Sequence, residues 1–245
     1  MLAIIGGSGL TRLSTLAVAH REVVRTPYGE PSAALIFGQL GGRDAVFLAR
    51  HGHGHTIPPH KVNYRANLWA LNDRGASAVV AIASVGGICR CGPGDLVVPH
   101  QLIDYTSGRE HTFFDGGDRR VVHVDFTRPY SSEFRERVLA AAKSASLAVT
   151  DGGVYGAVSG PRLETAAEID RMERDGATLV GMTGMPEASL ARELGLPYAA
   201  ICVVVNHAAG RVDSAQEVSM ERIARVLETA MDRVHMLLKH LAQIA

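Results

Sequence analysis

The sequence lacks both the charge imbalance and the long apolar runs that would direct it to nucleic acid or to a membrane. Its 25 Lys and Arg residues are balanced by 25 Asp and Glu residues, so no excess positive field attracts a polyanion. No apolar run approaches the roughly 18 residues of a membrane span, and the N-terminus MLAIIGGSGL lacks the basic region and longer apolar core of a signal peptide. We therefore expect a cytoplasmic protein with a small-molecule partner and no nucleic-acid or membrane partner.

Cysteine is also scarce. Cys89, Cys91 and Cys202 form an odd set that is too small for a disulfide framework. A single residue separates Cys89 from Cys91, whereas the common metal and redox motifs have two. We expect these thiols to be buried or incidental.

The residues that are present alternate between short β-rich runs and helical patterns. With 245 residues, 47% of them hydrophobic, the chain can bury one substantial core, so we predict one domain over residues 1–245. The alternation predicts the α/β class. The β-rich runs are LAIIGG, AALIFG, AVFLAR, SAVVAIASVGG, DLVVPH, GGVYGAVSG and YAAICVVVN.

Three helices can be predicted, over 165–174, 186–195 and 218–241. The first begins with a capping box formed by Thr165 and Glu168. The second begins at a Pro-Glu pair and ends at a glycine. The third carries a long apolar stripe at helical spacing.

Glycine or asparagine follows many of the predicted strands. In open α/β sheets, ligands bind just beyond the carboxyl ends of the strands. We therefore expect the segments GGSG, RHGHGH, SVGG and VNHAAG to line one site. The segment FFDGGDRR, residues 113–120, is predicted to be an exposed loop.

The segment ARHGHGHTIPPH allows two hypotheses. On an extended strand, His51, His53 and His55 would share one face and could bind zinc, as in a metal-dependent hydrolase. However, Asp44 is the only nearby acid that could orient the rings, and Arg50 would place a positive charge beside the cation. The alternative is an anion site, in which Arg50 makes charge-assisted hydrogen bonds to phosphate and a neighbouring imidazole donates another.

Two glycine turns are candidates for the same anion site. The segment IIGGSGL lacks the third glycine of the dinucleotide fingerprint and the final glycine of the hydrolase elbow. Its Ser8 hydroxyl and free backbone N–H groups could still bind an anion. Ser84, with the N–H groups of Val85 and Gly86, could close around that anion. Either segment could also be a turn and nothing more.

Five ordered blocks along nearly the whole chain resemble the trimeric purine nucleoside and methylthioadenosine phosphorylases. The resemblance implies an α/β sandwich with a central mixed β-sheet flanked by helices, and a homotrimer. It also implies phosphorolysis, in which inorganic phosphate, the co-substrate, attacks the anomeric carbon and the purine leaves. No metal and no organic cofactor are expected. The blocks are IIGGSGL, ARHGHGHTIPPHKVNYRANLWAL, CGPGDLVVPHQLIDYTSGREHTFFDG, SGPRLETAAE and GMTGMPEASLARELGLPYAAICVVVNHAAG.

The resemblance also assigns site residues by motif. Met182 is similar to the residue beneath the ribose, and His55 to a histidine near the sugar and its 5′ group. His123, in VVHVDF, is similar to a histidine that reaches a neighbouring subunit's site. Leu163 and Glu164 lie at the base, where the family often has an aromatic residue in place of Leu163. The expected phosphate contacts are Ser8, Arg50, His51, Ser84, Thr183 and the backbone of Val85, which replaces a smaller family residue.

The expected substrate base follows from Asn206, His207 and Ala208, which stand where methylthioadenosine phosphorylases carry Asp-x-Asp. An amide supplies a donor and an acceptor, so Asn206 can donate to purine O6 and accept N7–H. This suits hypoxanthine or guanine. A 6-amino purine would require the amide to turn round or to leave a group unpaired, at a cost of about 1–3 kcal/mol. We expect Asn206, Arg50 and His51 to be the catalytic residues.

The expected sugar follows from Val218, Met220 and Ile223, in a segment where phosphorylases of ordinary nucleosides tend to have a histidine. An apolar wall disfavours a 5′-hydroxyl and favours a methylthio group. We therefore predict S-methyl-5′-thioinosine as the substrate. The alternatives are methylthioadenosine or inosine and guanosine in the same chemistry, the metal-dependent hydrolase, and a non-catalytic nucleoside-binding module.

Overall fold

Eleven strands join into one mixed sheet in the computed structural model, which describes residues 1–116 and 120–244. The order along the main path is β2-β3-β4-β1-β5-β10-β9-β7, while β11 pairs with β5 and β6, and β8 pairs with β6. The strands are β1 Leu2–Gly6, β2 Ala17–Glu22, β3 Leu35–Leu40, β4 Arg43–Ala49, β5 Ala78–Gly87, β6 Leu96–Val98, β7 Gln101–Asp104, β8 Thr150–Asp151, β9 Val154–Ala157, β10 Leu179–Gly181 and β11 Tyr198–His207.

The centre of the sheet is parallel: β1 lies between β4 and β5, and β5 also pairs with β11. Continuous apolar runs form these strands because helices cover both faces of the sheet. Ile4 and Ile5, for example, are fully buried on opposite faces. Burying each side chain contributes about 1.5–3 kcal/mol.

Five helices cover the two faces of the sheet in the described part of the chain. α1 and α4 contribute to the core on one face, and α2 and α5 to the core on the other. This arrangement confirms the predicted α/β sandwich. The helices are α1 Tyr64–Asp73, α2 Ser132–Ser144, α3 Ala166–Arg174, α4 Gly184–Glu193 and α5 Met220–Ile244, with short 3-10 turns at Pro59–Lys61 and Val212–Ser214.

The three predicted helices are present. Thr165 and Glu168 form the expected capping box at the start of α3. The apolar stripe of α5 is buried, as the fully buried Val234 and Leu238 illustrate. In the part of the chain that the structure describes, no helix is both long enough and apolar enough to cross a bilayer.

Two local predictions need correction. The segment 113–120 is not wholly exposed, because Phe113 is only 3% exposed and its ring lies edge-on to Tyr28 at 5.0 Å. Residues 117–119 of that segment lie outside the described residues. The histidine segment is a turn rather than a strand, since β4 ends at Ala49 and His55 has a φ of 57°.

Candidate active site

A cavity of about 590 Å³ opens where the central strands end. It is formed by the turns after β1 and β4, the last residues of β5 and β11, the loops after β9 and β10, and the start of α5. Most of the predicted site residues therefore converge. Those lining it are Ser8, Arg50, His51, His55, Ser84, Val85, Leu163, Glu164, Met182, Thr183, Asn206, Val218, Met220 and Ile223.

Arg50 is 1% exposed at the floor of the cavity and is fixed by three acceptors. Its Nε and Nη2 donate to the two carboxylate oxygens of Glu187 at 2.7 and 2.8 Å, and its Nη1 donates to the carbonyl of Ile82 at 3.0 Å. Burial alone would lower the pKa of Arg50, but the Glu187 carboxylate outweighs burial and raises it. Three of the five guanidinium N–H groups are used, so two remain for an anion.

Glu187 connects this pair to the core. Its Oε2 also accepts a hydrogen bond from the Tyr198 hydroxyl at 2.9 Å, and its side chain is fully buried. The sequence analysis missed Glu187, because an acidic residue in the first turn of a helix is ordinarily explained by the helix dipole.

The glycine turn after β1 fits closely against Arg50. A Cβ atom on Gly7 would lie 2.5 Å from the carbonyl oxygen of Ile82 and 2.9 Å from Arg50 Nη1. Gly9 has a φ of 81°, which side-chain-bearing residues rarely adopt. The turn therefore needs glycine at both positions.

His51 and His55 lie beside Arg50 with their rings 4.5 Å apart. His51 Nδ1 lies 2.9 Å from the carbonyl of Ile57, which can only accept, so Nδ1 carries the proton. Burial, and then the charge of Arg50, lowers the pKa of His51 to about 4. In the neutral ring Nε2 is an acceptor, so this imidazole can donate to phosphate only in its protonated form, and its contact with phosphate stays a prediction.

His55 and His53 differ in position. His55 Nε2 lies 3.5 Å from the Ser8 hydroxyl, and burial, followed by the Arg50 charge, lowers the pKa of His55. His53 is exposed and does not line the cavity. Within residues 1–116 and 120–244, no three His, Cys, Asp or Glu side chains come together as a metal site would require.

The remaining candidates for phosphate contact surround Arg50. The Ser84 hydroxyl donates to the carbonyl of Ser8 at 3.2 Å and so joins the turn after β1 to β5. Val85 is 2% exposed. Thr183 precedes α4, and its side chain makes no capping hydrogen bond. The backbone at Met185 is extended, with a φ of −119° and a ψ of 141°, so the regular part of α4 begins only after Met185.

Asn206 lies at a bulge near the end of β11, where the register against β5 shifts after Val204. Its Nδ2 donates to the carbonyl of His207 at 2.6 Å. That contact fixes the direction of the amide, because a carbonyl oxygen cannot accept from Oδ1. The second Nδ2–H and Oδ1 remain available.

Comparison with known proteins identifies the family. Residues 1–243 match the model of the Phosphorylase superfamily. The chain belongs to this superfamily. A protein of Pseudomonas syringae pv. tomato named probable S-methyl-5′-thioinosine phosphorylase is 52% identical over 233 residues, covering 95% of this chain and 94% of the relative.

Two other relatives represent the neighbouring specificities. A probable 6-oxopurine nucleoside phosphorylase of Thermococcus kodakarensis is 46% identical over 215 residues, covering 85% of this chain and 80% of the relative. The solved methylthioadenosine phosphorylase of Schistosoma mansoni in complex with adenine superimposes with a TM-score of 0.95 at 32% identity, covering 99% and 91% of the two chains. The family expected from the sequence is confirmed, and the protein is a phosphorylase of the pentosyltransferase type.

Three predicted substrate residues of this phosphorylase lie outside the cavity. His207 turns away, and its Nδ1 lies 2.6 Å from Asp213 Oδ1. Ala208 is 1% exposed and packs in a separate hydrophobic cluster. His207 and Ala208 therefore lie behind the cavity wall, and the prediction that they contact the substrate directly is corrected. His123 is exposed and away from this chain's cavity, so its contact with a neighbouring subunit stays a prediction.

The rest of the cavity wall is mostly apolar. Val218, Met220 and Ile223 line it together with Leu227, which the sequence analysis assigned only to the α5 stripe. Glu164 is half-buried on another side, and burial raises the pKa of its carboxyl group, with Glu168 adding to the rise. The segment 56–59, also missed, completes the wall through Thr56, Ile57, Pro58 and Pro59.

Proposed function

We propose that the protein catalyses the reversible phosphorolysis of S-methyl-5′-thioinosine to hypoxanthine and 5-methylthioribose 1-phosphate. The observation that carries the choice of base is the hydrogen bond from Asn206 Nδ2 to the carbonyl of His207. In that orientation the amide presents N–H to O6 of a 6-oxopurine and Oδ1 to its N7–H. Turning the amide to suit a 6-amino group would place two acceptor oxygens against each other.

Glu164 supports the same base. Hypoxanthine carries a proton on N1 and adenine does not, so an ionised carboxylate can accept from hypoxanthine but repels the N1 lone pair of adenine. Glu164 lines the same cavity as Asn206. Two separate groups thus favour the 6-oxopurine.

The wall formed by α5 supports the methylthio group. Val218, Met220 and Ile223 offer no hydrogen-bond donor or strong acceptor to a 5′-hydroxyl. A hydroxyl buried there without a partner costs about 1–3 kcal/mol, whereas each buried methylene-sized unit contributes about 0.8 kcal/mol. An ordinary nucleoside should therefore be the poorer substrate.

The phosphate is proposed to bind between Ser8, Arg50, Ser84, Val85 and Thr183. The two free N–H groups of Arg50 and the backbone N–H groups of the glycine turn after β1 would orient the anion and stabilise its charge. The lone pair on His51 Nε2 would accept a phosphate O–H, which leaves a bare oxygen to face the anomeric carbon.

The reaction then follows the pattern of glycoside cleavage. Phosphate attacks the anomeric carbon as the bond to N9 breaks, through a transition state that resembles an oxocarbenium ion. Negative charge flows into the purine, which takes up the proton that phosphate gives up on becoming an ester. The Asn206 amide then donates to O6 and accepts from the resulting N7–H. Met182 would lie against the ribose. We propose that no metal and no organic cofactor takes part, phosphate being a co-substrate.

We further propose that the enzyme is a cytoplasmic homotrimer in which His123 reaches the site of a neighbouring subunit. This rests on the resemblance of VVHVDF to the family segment with that role. His123 is exposed, and so are its neighbours Val121 and Val122, which are 69% and 40% exposed. A subunit interface would cover them.

The test is a substrate panel of methylthioinosine, methylthioadenosine, inosine and guanosine, each assayed with and without phosphate. We expect phosphate-dependent release of hypoxanthine from methylthioinosine with the highest kcat/KM. Preferential adenine release would contradict the base assignment, and preferential turnover of inosine or guanosine the sugar assignment. Phosphate-independent activity abolished by a chelator would indicate the metal-dependent hydrolase, and binding without turnover a non-catalytic module.

A further inference from the structure

Arg109 contacts two loops of the active site at once, although it does not line the cavity. Its Nη1 donates to the carbonyl of Met182 at 2.9 Å and also to that of Met185. Its Nη2 donates to the carbonyl of Ser159 at 2.8 Å and to that of Val158 at 3.3 Å. One planar guanidinium therefore joins the loop after β9 to the loop after β10.

These two loops carry opposite parts of the proposed substrate site. The loop after β9 leads to Leu163 and Glu164, which face the base, and the loop after β10 carries Met182 and Thr183, which face the ribose and the phosphate. A nucleoside that contacts both loops at once loses contacts when their spacing changes. One lost hydrogen bond of this kind corresponds to about tenfold in affinity.

Arg109 also contacts a third wall of the cavity. Its guanidinium lies over the ring of Tyr64, 5.4 Å from the centroid, and Nη1 lies 3.3 Å from the Tyr64 hydroxyl. That hydroxyl donates to the carbonyl of Pro59, itself a cavity residue. All five acceptors of Arg109 are uncharged oxygens, so the side chain links segments of backbone and does not serve as one half of an ion pair.

We propose that Arg109 is a positioning residue that sets the spacing of the base, ribose and phosphate subsites through backbone carbonyls. The proposal rests on the proposed function only in assigning those subsites. A lysine has three donors on one nitrogen and cannot reach two loops from two nitrogens in a plane. Arginine is therefore specifically required.

Arg65 provides the matched control. Arg65 is anchored to the segment that carries Arg109, through ion pairs to Glu110 and Asp115 at 3.0 and 2.7 Å. It likewise lies over a tyrosine, 5.2 Å from the centroid of the Tyr28 ring. It is absent from the cavity wall, and its hydrogen bonds go to the segment itself rather than to the two loops.

The experiment measures kcat, both KM values and the melting temperature of Arg109→Met and Arg65→Met. We expect Arg109→Met to raise the nucleoside KM by about tenfold, and Arg65→Met to leave it at the wild-type value. A purely structural role would lower the amount of active enzyme, and hence the apparent kcat, without moving KM. An unchanged nucleoside KM in Arg109→Met, or an equal rise in Arg65→Met, would overturn the proposal.

Two further variants cover the case in which Arg109→Met does not fold. Arg109→Lys should fold and show a raised nucleoside KM. Arg109→Ala should regain nucleoside affinity when millimolar guanidinium chloride, but not sodium chloride, is added. A wild-type KM in the lysine variant, or the absence of rescue, contradicts the proposal.

Failure of the proposed function is distinguishable from failure of this inference. Each variant is assayed with the nucleoside that the wild-type enzyme prefers. A preference for methylthioadenosine or inosine would alter the assignment of substrate, whereas the comparison between Arg109 and Arg65 would still be decided by KM.

Discussion

At the scale of single residues, we expect selectivity to come from side chains whose hydrogen-bonding direction is fixed by a neighbouring carbonyl group. Asn206 is held by the carbonyl of His207, and His51 by the carbonyl of Ile57. Each contact decides which atom of the side chain is left to face the cavity. Whether each side chain can donate or accept a hydrogen bond in the cavity therefore depends on a backbone carbonyl behind it.

Replacing Asn206 with Asp should move the preference toward the 6-amino substrate. A carboxylate accepts from the 6-amino group and offers no N–H to O6, so we expect the ratio of kcat/KM for methylthioinosine over methylthioadenosine to fall by about tenfold, or about 1.4 kcal/mol. His207→Gln is the control, because that side chain lies outside the cavity. An unchanged ratio in Asn206→Asp would mean that the base is recognised elsewhere.

We expect Glu164 to make the selectivity between 6-oxopurine and 6-aminopurine nucleosides depend on pH. Burial raises the pKa of its carboxyl group, so protonation begins at a higher pH than for an exposed glutamate. The ionised form accepts from N1–H of a 6-oxopurine, whereas the acid form can donate to N1 of a 6-aminopurine. The relative kcat/KM for methylthioadenosine should therefore rise as pH falls toward the raised pKa.

The measurement is the kcat/KM ratio of the two nucleosides across the pH range in which the enzyme stays folded. Glu164→Gln carries an amide with no titration, so its ratio should stay flat. A wild-type ratio that is flat, or a variant ratio that keeps the slope, would show that another group titrates.

At the scale of secondary-structure elements, the buried Arg50–Glu187 pair joins the end of β4 to α4. Replacing Glu187 with Gln would leave a buried guanidinium without its counter-charge. We expect a loss of about 3–5 kcal/mol in the free energy of unfolding and a raised phosphate KM. Denaturant titration and phosphate-dependent kinetics check the two effects.

Tyr130→Phe is the control for that variant. Tyr130 stacks on Tyr198, with ring centroids 6.0 Å apart, and its buried hydroxyl has no hydrogen-bond partner among the described residues. Removing that hydroxyl should leave both the stability and the phosphate KM at or near their wild-type values. If Glu187→Gln left the phosphate KM as unchanged as Tyr130→Phe does, the Arg50–Glu187 pair would not contribute to phosphate binding.

The elements that the sequence predicted are those with a strong local signal. The buried strands were recognisable from uninterrupted apolar runs, α3 from its capping box and α5 from its stripe. By contrast, β2 is exposed along most of its length and β10 has three residues, so neither has a recognisable pattern. The helix α1 was missed because it is buried on several sides, including the fully buried polar Asn67, and so lacks a single apolar face.

The site was predictable only in part for a related reason. Motifs indicated most of the side chains that line the cavity, but not the groups that hold those side chains in place. Glu187 is 137 positions from Arg50 in the sequence, and the proton on His51 is placed by a backbone carbonyl. Such pairings arise from the tertiary fold and leave no local pattern.

At the scale of the whole molecule, the proposed trimer predicts sites shared between subunits. We expect sedimentation to give three copies, and His123→Ala and Asn206→Ala each to be poorly active alone. When these two variants are refolded together, some mixed trimers contain a site with both residues intact, so activity should reappear. Asn206→Ala refolded with Glu187→Gln is the control, since Asn206 lines the cavity and Glu187 holds Arg50 in that same chain's cavity. If the first mixture recovered no more activity than the control mixture, the shared site would be contradicted.

The parallel pairing of β5 with β11 has a consequence for how activity is lost. Ser84 and Val85 on β5 lie opposite Val203 and Val204 on β11, and Asn206 follows two residues after Val204, opposite Gly86. The proposed phosphate contacts and the proposed base contact therefore lie on neighbouring strands, about 4.8 Å apart. If heating separates these two strands, we expect the binding of phosphate and the binding of nucleoside to be lost in one transition.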